Sequence, residues 1–440
     1  MKKEYKARYE KIYKMINSTE INEYGRLANE TKSFTRERKM PLKDVILSVL
    51  SKKGLTTAIE LREYFKSKRE QKDITVQGYL QQRKKLNYEA FKYLNGEYLR
   101  NYYSSKEPKL WNGYVVLAID GSKTEVPNSD ENRKSFGKSG NQHESSETRA
   151  LVSCALDVVN HFIIDIQINS IETSESELAK ENIFCVKEAV KNMPLLVIFD
   201  RGYPSIELVD FLEKQGISYL FRLSSNDYKK ERGDMASDDE NVSLVHTYPR
   251  LQKINKNHPN RVDELRAKEY TDTRIINSIL SGGSRITFMT NLPVMFAKED
   301  IRSLYLKRWE IEKKYHTLKN KMKFESVTGK STIYVYQDFW AQVLVYNMIQ
   351  DILNAANDSI SQKSFRRKHP IRANENIAIG LFKGVFISIF AASCVSTQSR
   401  RLFRLYSDIQ HFTVPIRNLK ISKRVRNLAN RFMNNQKFAF

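Results

Sequence analysis

The stretch LLVIFD, residues 195–200, is an uninterrupted apolar run that ends in an aspartate, and YVVLAID, residues 114–120, repeats this pattern. Continuous apolar runs of this length are typical of strands that are buried on both faces of a sheet. If the two strands are adjacent, Asp120 and Asp200 emerge at the same carboxyl edge, where α/β sheets place their ligands. An aspartate after a strand can also simply cap a turn, so this pattern alone leaves the role of both carboxylates open.

The segments around these two runs predict a mixed sheet. RALVSCALDVV (149–159) and HFIIDIQI (161–168) are typical of antiparallel strands joined by a short turn, and ISYLFRL (217–223) predicts a further strand. Helices are predicted at about 175–191 and 204–215. The order of three strands, helix, strand, helix and strand is that of a ribonuclease H-like sheet, so the predicted fold class is α/β.

Helical patterns precede this sheet. Residues 1–105 predict an all-α domain of short helices separated by tight turns. The segment 75–86 is rich in Gln, Lys and Arg and resembles a helix-turn-helix DNA reader, although a plain helical bundle explains the same pattern.

The catalytic core is predicted to span residues 106–360. Short polar and β-branched runs at about 224–283 predict a β-rich insertion within it. One long helix is predicted from about 298 to 323 and another from about 333 to 356. A basic helical region, 361–440, completes the predicted chain.

The charge of the chain is large and uneven. Its net charge is +23, and residues 361–440 contribute +14 of it, with sixteen Lys or Arg and two acids. A long phosphate backbone fits this asymmetry better than a small acidic substrate does. A basic surface that only maintains solubility is the alternative.

Cysteine usage and hydropathy predict a cytoplasmic protein without a membrane partner. The three cysteines are widely spaced and form no CxxC pattern, which favours reduced thiols. The first residues lack the apolar core of a signal peptide. The longest apolar stretch, residues 377–395, contains Lys383 and predicts a buried helix rather than a membrane span.

The predicted helix after the insertion carries a third acid. At about 100° per residue, one stripe of this helix is apolar and includes Ile311 and Tyr315. A neighbouring sector at the edge of the buried face holds four polar residues: Tyr305, Arg308, Glu312 and Lys319. Glu310 is predicted to point to solvent, so Glu312 is the candidate functional acid. A surface ion-pair set on the helix remains the alternative.

Three carboxylates from two strands and a helix predict a metal site. Asp120, Asp200 and Glu312 supply the hard oxygen ligands that Mg²⁺ or Mn²⁺ requires. Two such ions about 4 Å apart can activate the attacking oxygen and stabilise the leaving oxygen in phosphoryl transfer.

Four residues match a known signature in type and in spacing: Tyr305, Arg308, Glu312 and Lys319. The DGS at Asp120 and the DRGY at Asp200 resemble the first two catalytic blocks of the same family. By these residues the chain resembles the IS-four family of bacterial insertion-sequence transposases, which belong to the DDE group. The resemblance extends from FTRERKMPLKD (34–44) to the helix after Glu312.

The resemblance implies a function and a role for each residue. The fold would be an RNase H-like core with a β-rich insertion, acting as a homodimer on the inverted-repeat ends of double-stranded DNA and on target DNA. Asp120, Asp200 and Glu312 would hold two Mg²⁺ or Mn²⁺ ions as catalytic ligands. The residues that would bind DNA phosphates are Tyr305, Arg308 and Lys319. Such an enzyme is expected in the bacterial cytoplasm, associated with the nucleoid.

Two other functions remain open from the sequence. One is a metal-dependent nuclease that cuts DNA without joining it. The other is a non-catalytic DNA-binding protein derived from a transposase, against which the presence of all three acids speaks.

Overall fold

The structure, a computed structural model, describes residues 4–28, 32–35, 39–139, 147–255, 259–280, 283–364 and 369–416. The chain divides into two compact units. The sheet unit comprises Tyr102–Thr124 and Ser135–Tyr315, and the helical unit comprises Met1–Asn101, Glu125–Lys134 and His316–Phe440. The predicted C-terminal region falls partly outside the described residues, because 365–368 and 417–440 are not among them.

The bounds of the elements follow the chain order. The helices are α1 Glu4–Ile16, α2 Ile21–Gly25, α3 Leu42–Leu50, α4 Thr57–Lys68, α5 Val76–Arg83, α6 Glu89–Tyr103, α7 Asp130–Phe136, α8 Glu175–Val190, α9 Ile206–Lys214, α10 Lys229–Gly233, α11 Tyr248–Asn255, α12 Pro259–Lys268, α13 Lys298–Leu306, α14 Trp309–His316, α15 Thr332–Ser364, α16 Glu375–Phe390 and α17 Val395–His411. A π-helical turn spans Thr317–Lys321. The strands are β1 Val115–Glu125, β2 Lys138–Ser139, β3 Glu147–Asp157, β4 Ile163–Ser170, β5 Leu195–Phe199, β6 Ser218–Leu223, β7 Asp239–Val245, β8 Tyr270–Ile279, β9 Arg285–Thr290, β10 Ile371–Ala373 and β11 Thr413–Pro415.

Strands β1 to β9 form one large mixed sheet. Their order is β2-β3-β1-β5-β6-β9-β8-β7, and β4 pairs with β3. The central strands β1, β5 and β6 run parallel, whereas β4 and β9 are antiparallel to their partners. Every residue of β5 is buried, as the continuous apolar run LLVIF predicts. The predicted α/β class, with helical regions before and after the sheet, is confirmed at this level.

Strand β1 is longer than the apolar run that predicts it. It continues to Glu125, so Asp120 lies inside the strand rather than at its end. Pairing with β5 stops at Ala118, opposite Ile198, which leaves Asp120 beyond the paired section. The residues after Asp120 hide this continuation from a hydropathy pattern, because none of them is apolar and Thr124 alone among them is fully buried.

Residues 224–283 were predicted to be mostly β, and this prediction is wrong for the segment between β6 and β9. It contains β7 and β8, but also the three helices α10, α11 and α12. Helix α12 buries only Val262 and Leu265, so its apolar periodicity is too weak to read from the sequence. These residues pack with Ile206 of α9, and Arg261 reaches Asp210 of the same helix at 2.5 Å.

The helical unit is built on α15, a helix of 33 residues that is buried along most of its length. Two of its carboxylates are buried ion-pair centres. Asp351 binds Arg8 through two hydrogen bonds of 2.7 and 2.8 Å, and Asp338 binds Lys52 at 2.7 Å and Arg83 at 2.5 Å. Arg83 is one of the cations in the predicted DNA-reading segment 75–86, but the structure buries its side chain.

Helix α16 forms the apolar helix that the stretch 377–395 predicts, and it buries Lys383. None of the described helices is both long enough and apolar enough to cross a bilayer.

Candidate active site

Asp120 and Asp200 lie level with each other at one edge of the sheet. The parallel register pairs Ala118 with Ile198, and the two aspartates follow two residues further along their chains. Asp200 comes directly after β5, where its carbonyl accepts the N–H of Tyr203 at 3.2 Å and turns the chain towards α9. The prediction that both acids reach the same edge therefore agrees with the register of β1 and β5.

The helix that carries Glu312 is interrupted. The sequence predicts one continuous helix at 298–323, whereas α13 ends at Leu306 and α14 begins at Trp309. At the break the chain takes tight turns, in which the Arg308 N–H donates to the carbonyl of Tyr305 at 2.9 Å. The apolar positions on either side of the break, Leu304 and Ile311, are both buried as the spacing predicts, so hydropathy gives no sign of this break.

All three acids lie close to the guanidinium of Arg308. Its Nη2 donates to Glu312 Oε1 at 2.8 Å and lies 3.9 Å from Asp200 Oδ2, while its Nη1 lies 3.9 Å from Asp120 Oδ2. The side chain of Arg308 is only 4% exposed, whereas that of Glu312 is 43% exposed. The guanidinium neutralises carboxylates that would otherwise repel one another.

The two aspartates differ in their electrostatics. Burial raises the pKa of Asp120 to about 6, although Arg308 and the Gly121 N–H, which donates to it at 3.0 Å, act in the opposite direction. Burial also disfavours the charge of Asp200, but the Arg201 N–H and Arg308 outweigh it and hold the pKa of Asp200 below its usual value. Asp120 is thus harder to ionise than an ordinary aspartate, and Asp200 is easier to ionise.

Two tyrosines orient the site. Tyr305 is buried, and its hydroxyl donates to Asp200 Oδ1 at 3.0 Å. Tyr315 on α14 contacts the carbonyls of Asp120 and Val152, each at 2.8 Å, and so fixes α14 against β1 and β3. The sequence pattern placed Tyr315 in the apolar stripe, and nothing in that pattern indicated its polar contacts.

Two further residues of the segment lie elsewhere. Glu310 pairs with Lys313 at 2.7 Å, and its side chain is 26% exposed, so it is less exposed than Glu312 and the prediction that it faces solvent is wrong. His161 Nδ1 lies 4.0 Å from Glu310 Oε2 and shields part of this carboxylate from solvent. Lys319 belongs to the helical unit, where it sits in the π-helical turn and pairs with Glu325 at 3.4 Å.

The donor set fits a hard divalent cation in its chemistry. Asp120, Asp200 and Glu312 offer carboxylate oxygens of the kind that Mg²⁺ prefers. Within the described residues, however, no three acidic, His or Cys side chains are close enough together to hold a metal ion. Their oxygens lie around the Arg308 guanidinium instead.

The chain is similar to known transposases. A family model described as Transposase DDE domain matches residues 111–348. The chain is 23% identical over 333 residues to the transposase InsG for insertion sequence element IS4 of Escherichia coli (strain K12), covering 72% of this chain and 70% of that relative. It is also similar to the cryo-EM structure of a piggyBac transposase synaptic complex with hairpin DNA, with a TM-score of 0.44 and 8% identity over 97% of this chain and 88% of that chain.

The chain belongs to the DDE transposase family, and its similarity to the relative from element IS4 assigns it to the IS4 type. It is a DDE-type DNA transposase. The resemblance drawn from the Tyr-Arg-Glu-Lys spacing is confirmed.

Proposed function

We propose that this transposase cleaves the ends of an insertion sequence and joins them to target DNA by metal-dependent phosphoryl transfer, with Asp120, Asp200 and Glu312 as its catalytic acids. One observation carries the proposal. Side chains from β1, from the end of β5 and from α14 gather around the single guanidinium of Arg308.

The catalytic core is proposed to be RNase H-like. The strand order β4-β3-β1-β5-β6, with three parallel central strands and an antiparallel pair at one side, supports this interpretation. In such a sheet, Asp120 just beyond the paired section of β1 and Asp200 at the carboxyl end of β5 are neighbours because the strands are neighbours.

Asp120, Asp200 and Glu312 would hold Mg²⁺ or Mn²⁺, and we propose two ions in each site. When bound, the ions would lower the pKa of an attacking water and stabilise negative charge on the leaving oxygen. The low pKa of Asp200 keeps one ligand ionised at neutral pH. Tyr305 holds the carboxylate of Asp200 in place through its hydroxyl.

Arg308 and Lys319 would bind DNA phosphates. Both side chains are cationic donors that now pair with carboxylates, Arg308 with Glu312 and Lys319 with Glu325. A phosphate can replace these carboxylates as a charge-assisted acceptor. Transfer of Arg308 from the acids to DNA would at the same time open the acids to a cation.

The proposed reaction has two displacements at phosphorus. First, water attacks the phosphate at the element end, the P–O bond to the flanking strand breaks, and a 3′ hydroxyl is released. That hydroxyl then attacks a phosphate of the target, forming a new P–O bond as the target strand is cut. Proton acceptors are needed in both steps, and no covalent protein intermediate is required. We propose that a homodimer at the nucleoid carries this out on paired ends.

The N-terminal domain, residues 1–105, is proposed to bind the element ends. Helix α4 and its C-cap present an exposed row of cations, Arg62, Lys66 and Arg69, which make no ion pairs within the described part of the chain. They line a groove of about 910 Å³. Helix α5 and its C-cap present a second exposed row at similar spacing, and its members are Gln77, Gln81 and Lys84. Cations that bind phosphates beside amides that can read base edges support this role.

The test is a reaction of the full-length protein with Mg²⁺ and a DNA duplex that carries the inverted repeats flanking its gene. Products that are both cut and joined to a second DNA support the proposal. Cutting without joining would instead indicate a nuclease. Binding without cutting would contradict the catalytic role of the three acids.

A further inference from the structure

A fourth carboxylate lies beside the three acids. Glu175 is the first residue of α8 and is exposed. A Cβ atom added to Gly121 would lie 2.8 Å from Glu175 Cδ and 2.9 Å from its Oε1. The carboxylate of Glu175 therefore rests against the backbone of the residue next to Asp120, at a point where any side chain would displace it.

The negative charge of Glu175 affects the pKa values of three neighbouring groups. Burial is the main cause of the raised pKa of Asp120, and Glu175 raises it further. The pKa values of Tyr203 and Tyr315 are also raised, first by burial and then in part by the negative charge of Glu175. These effects agree with the position of the Glu175 carboxylate against the backbone of Gly121, next to Asp120.

The hydroxyl of Tyr203 lies in the same part of the site, beside Glu175 and Asp120. Tyr203, from the DRGY block, is 3% exposed, and within the described residues its hydroxyl has no hydrogen bond of normal geometry. The charged groups around it are Glu175, Asp120 and Asp200. Glu175 is the nearest acceptor for this hydroxyl, although their contact falls short of normal hydrogen-bond geometry. A poorly satisfied buried hydroxyl costs free energy, so its retention beside three carboxylates supports a site that is completed by a further group.

We propose that Glu175 is a fourth acidic group of the metal site, which helps to hold a divalent cation next to Asp120, with Tyr203 as its positioning residue. This inference rests on the proposed function. It goes beyond the three acids because neither the Tyr-Arg-Glu-Lys signature nor the two aspartate blocks include Glu175. A cation between Glu175 and Asp120 would relieve the repulsion between them.

The alternative is a purely structural role for Glu175. An acid in the first turn of a helix interacts favourably with the helix dipole, and Ser174 at the N-cap makes no side-chain hydrogen bond that would satisfy this end. A structural residue would change the melting temperature when replaced. It would leave metal affinity unchanged.

The experiment titrates the full-length protein with Mn²⁺ in the absence of DNA and measures free Mn²⁺ by its paramagnetic resonance signal. We expect Glu175→Gln to weaken Mn²⁺ binding by about tenfold or more, the size of effect seen for groups that support a metal site. Glu181→Gln removes the same charge from an exposed position on the same helix, and its affinity should equal that of the wild type. Glu175→Asp keeps the charge on a shorter side chain and should give an intermediate affinity.

Asp120→Asn, measured in parallel, separates the two possible failures. If Asp120→Asn abolishes Mn²⁺ binding while Glu175→Gln and Glu175→Asp match the wild type, the role of Glu175 is wrong and the three-acid site stands. If Asp120→Asn also binds Mn²⁺ normally, the proposed metal site itself is wrong. Melting curves for each variant show that the compared proteins are folded, and Glu175→Asp provides the comparison if Glu175→Gln does not fold.

Discussion

Arg308 links the signature residues to the electrostatics of the whole site. Its guanidinium donates to Glu312 and lies 3.9 Å from each aspartate. It therefore connects charged side chains from β1, from the end of β5 and from α14. Burial of Arg308 makes this network strong, because water screens it poorly.

Glu312→Gln is expected to abolish cleavage and to leave end binding intact. The amide keeps the size of the side chain but loses the negative charge that a divalent cation requires. Gel-shift titration of the element ends measures binding, and strand cleavage in Mg²⁺ measures catalysis. Glu310→Gln is the matched control, since Glu310 pairs with Lys313 instead, and it should cleave normally. Undiminished cleavage by Glu312→Gln would place the third acid elsewhere.

Asp120→Asn should stabilise the metal-free protein at pH 7.5, by an amount on the order of 2 kcal/mol. The pKa of Asp120 is raised from 3.8 to about 6, so its contribution to stability is fully present below 3.8 and is lost as the pH rises through 6. An uncharged amide avoids this loss. Chemical unfolding at pH 7.5 and at pH 4 measures the difference, which should shrink at the lower pH.

Asp200→Asn should have the opposite effect. The pKa of Asp200 is lowered, so its contribution to stability is present above its usual value of 3.8 and disappears as the pH falls through the lowered value. The variant should therefore be less stable than the wild type at pH 7.5. Equal shifts of the same sign in Asp120→Asn and Asp200→Asn would contradict the electrostatic difference between the two acids.

At the scale of elements, the π-helical turn Thr317–Lys321 presents Lys319 directly after the helix of Glu312. Inserted π turns are frequent at functional sites, where they change the direction of a side chain. Two lysines of this turn have different partners. Lys319 pairs with Glu325, and Lys321 pairs with Glu375 at 2.7 Å.

Lys319→Ala is expected to weaken binding of the element ends about tenfold, the cost of one good phosphate contact on the scale of 1.4 kcal/mol per decade. Mn²⁺ binding should be unchanged. Lys321→Ala removes a cation from the same turn and should bind the ends nearly as the wild type does. If both variants lose affinity equally, Lys319 has no special phosphate role.

The long helix α15 stabilises the helical unit through its buried acids. Replacing Asp338 by Ala would leave Lys52 and Arg83 buried without their shared counter-ion. We expect the free energy of unfolding to fall by about 3–5 kcal/mol, as is usual when one partner of a buried ion pair is removed. Chemical denaturation tests this, with the exposed Asp408 as control: Asp408→Ala should change stability by less than about 0.5 kcal/mol.

At the scale of the whole molecule, the net charge of +23 predicts DNA binding that is strongly dependent on salt. Residues 417–440 contribute seven Lys or Arg and no acid. If these cations bind phosphates, deleting residues 417–440 should weaken DNA binding. The slope of log K against log salt should then fall by about 0.9 for each phosphate that the shortened protein no longer neutralises.

A full-length variant with these seven cations replaced by Gln is the control for chain length. It should reproduce the weaker binding of the truncated protein. An unchanged slope in both proteins would show that the C-terminal charge does not contact DNA. A smaller slope in the truncated protein alone would indicate that chain length rather than charge is responsible.

The central sheet was largely predictable, whereas the segments beside it were not. Strand β5 and the carboxyl position of Asp200 follow from a continuous apolar run, because a strand buried on both faces has no polar residues to break the pattern. The helices of the insertion escaped prediction, since α12 buries only Val262 and Leu265. The break between α13 and α14 leaves the apolar spacing almost intact, so only backbone hydrogen bonds reveal it.

The sequence by itself determined the family of this protein and its large positive charge, and it predicted three catalytic acids from the ends of two apolar runs and a spaced set of polar residues. These features are local, and each can be read along a few turns or a single strand. The tertiary structure alone decided that Arg308 stands among the acids, that Arg83 is buried with Asp338, and that Glu175 rests against Gly121. Such contacts join residues far apart in the chain, and no periodicity encodes them because they depend on how separate elements pack.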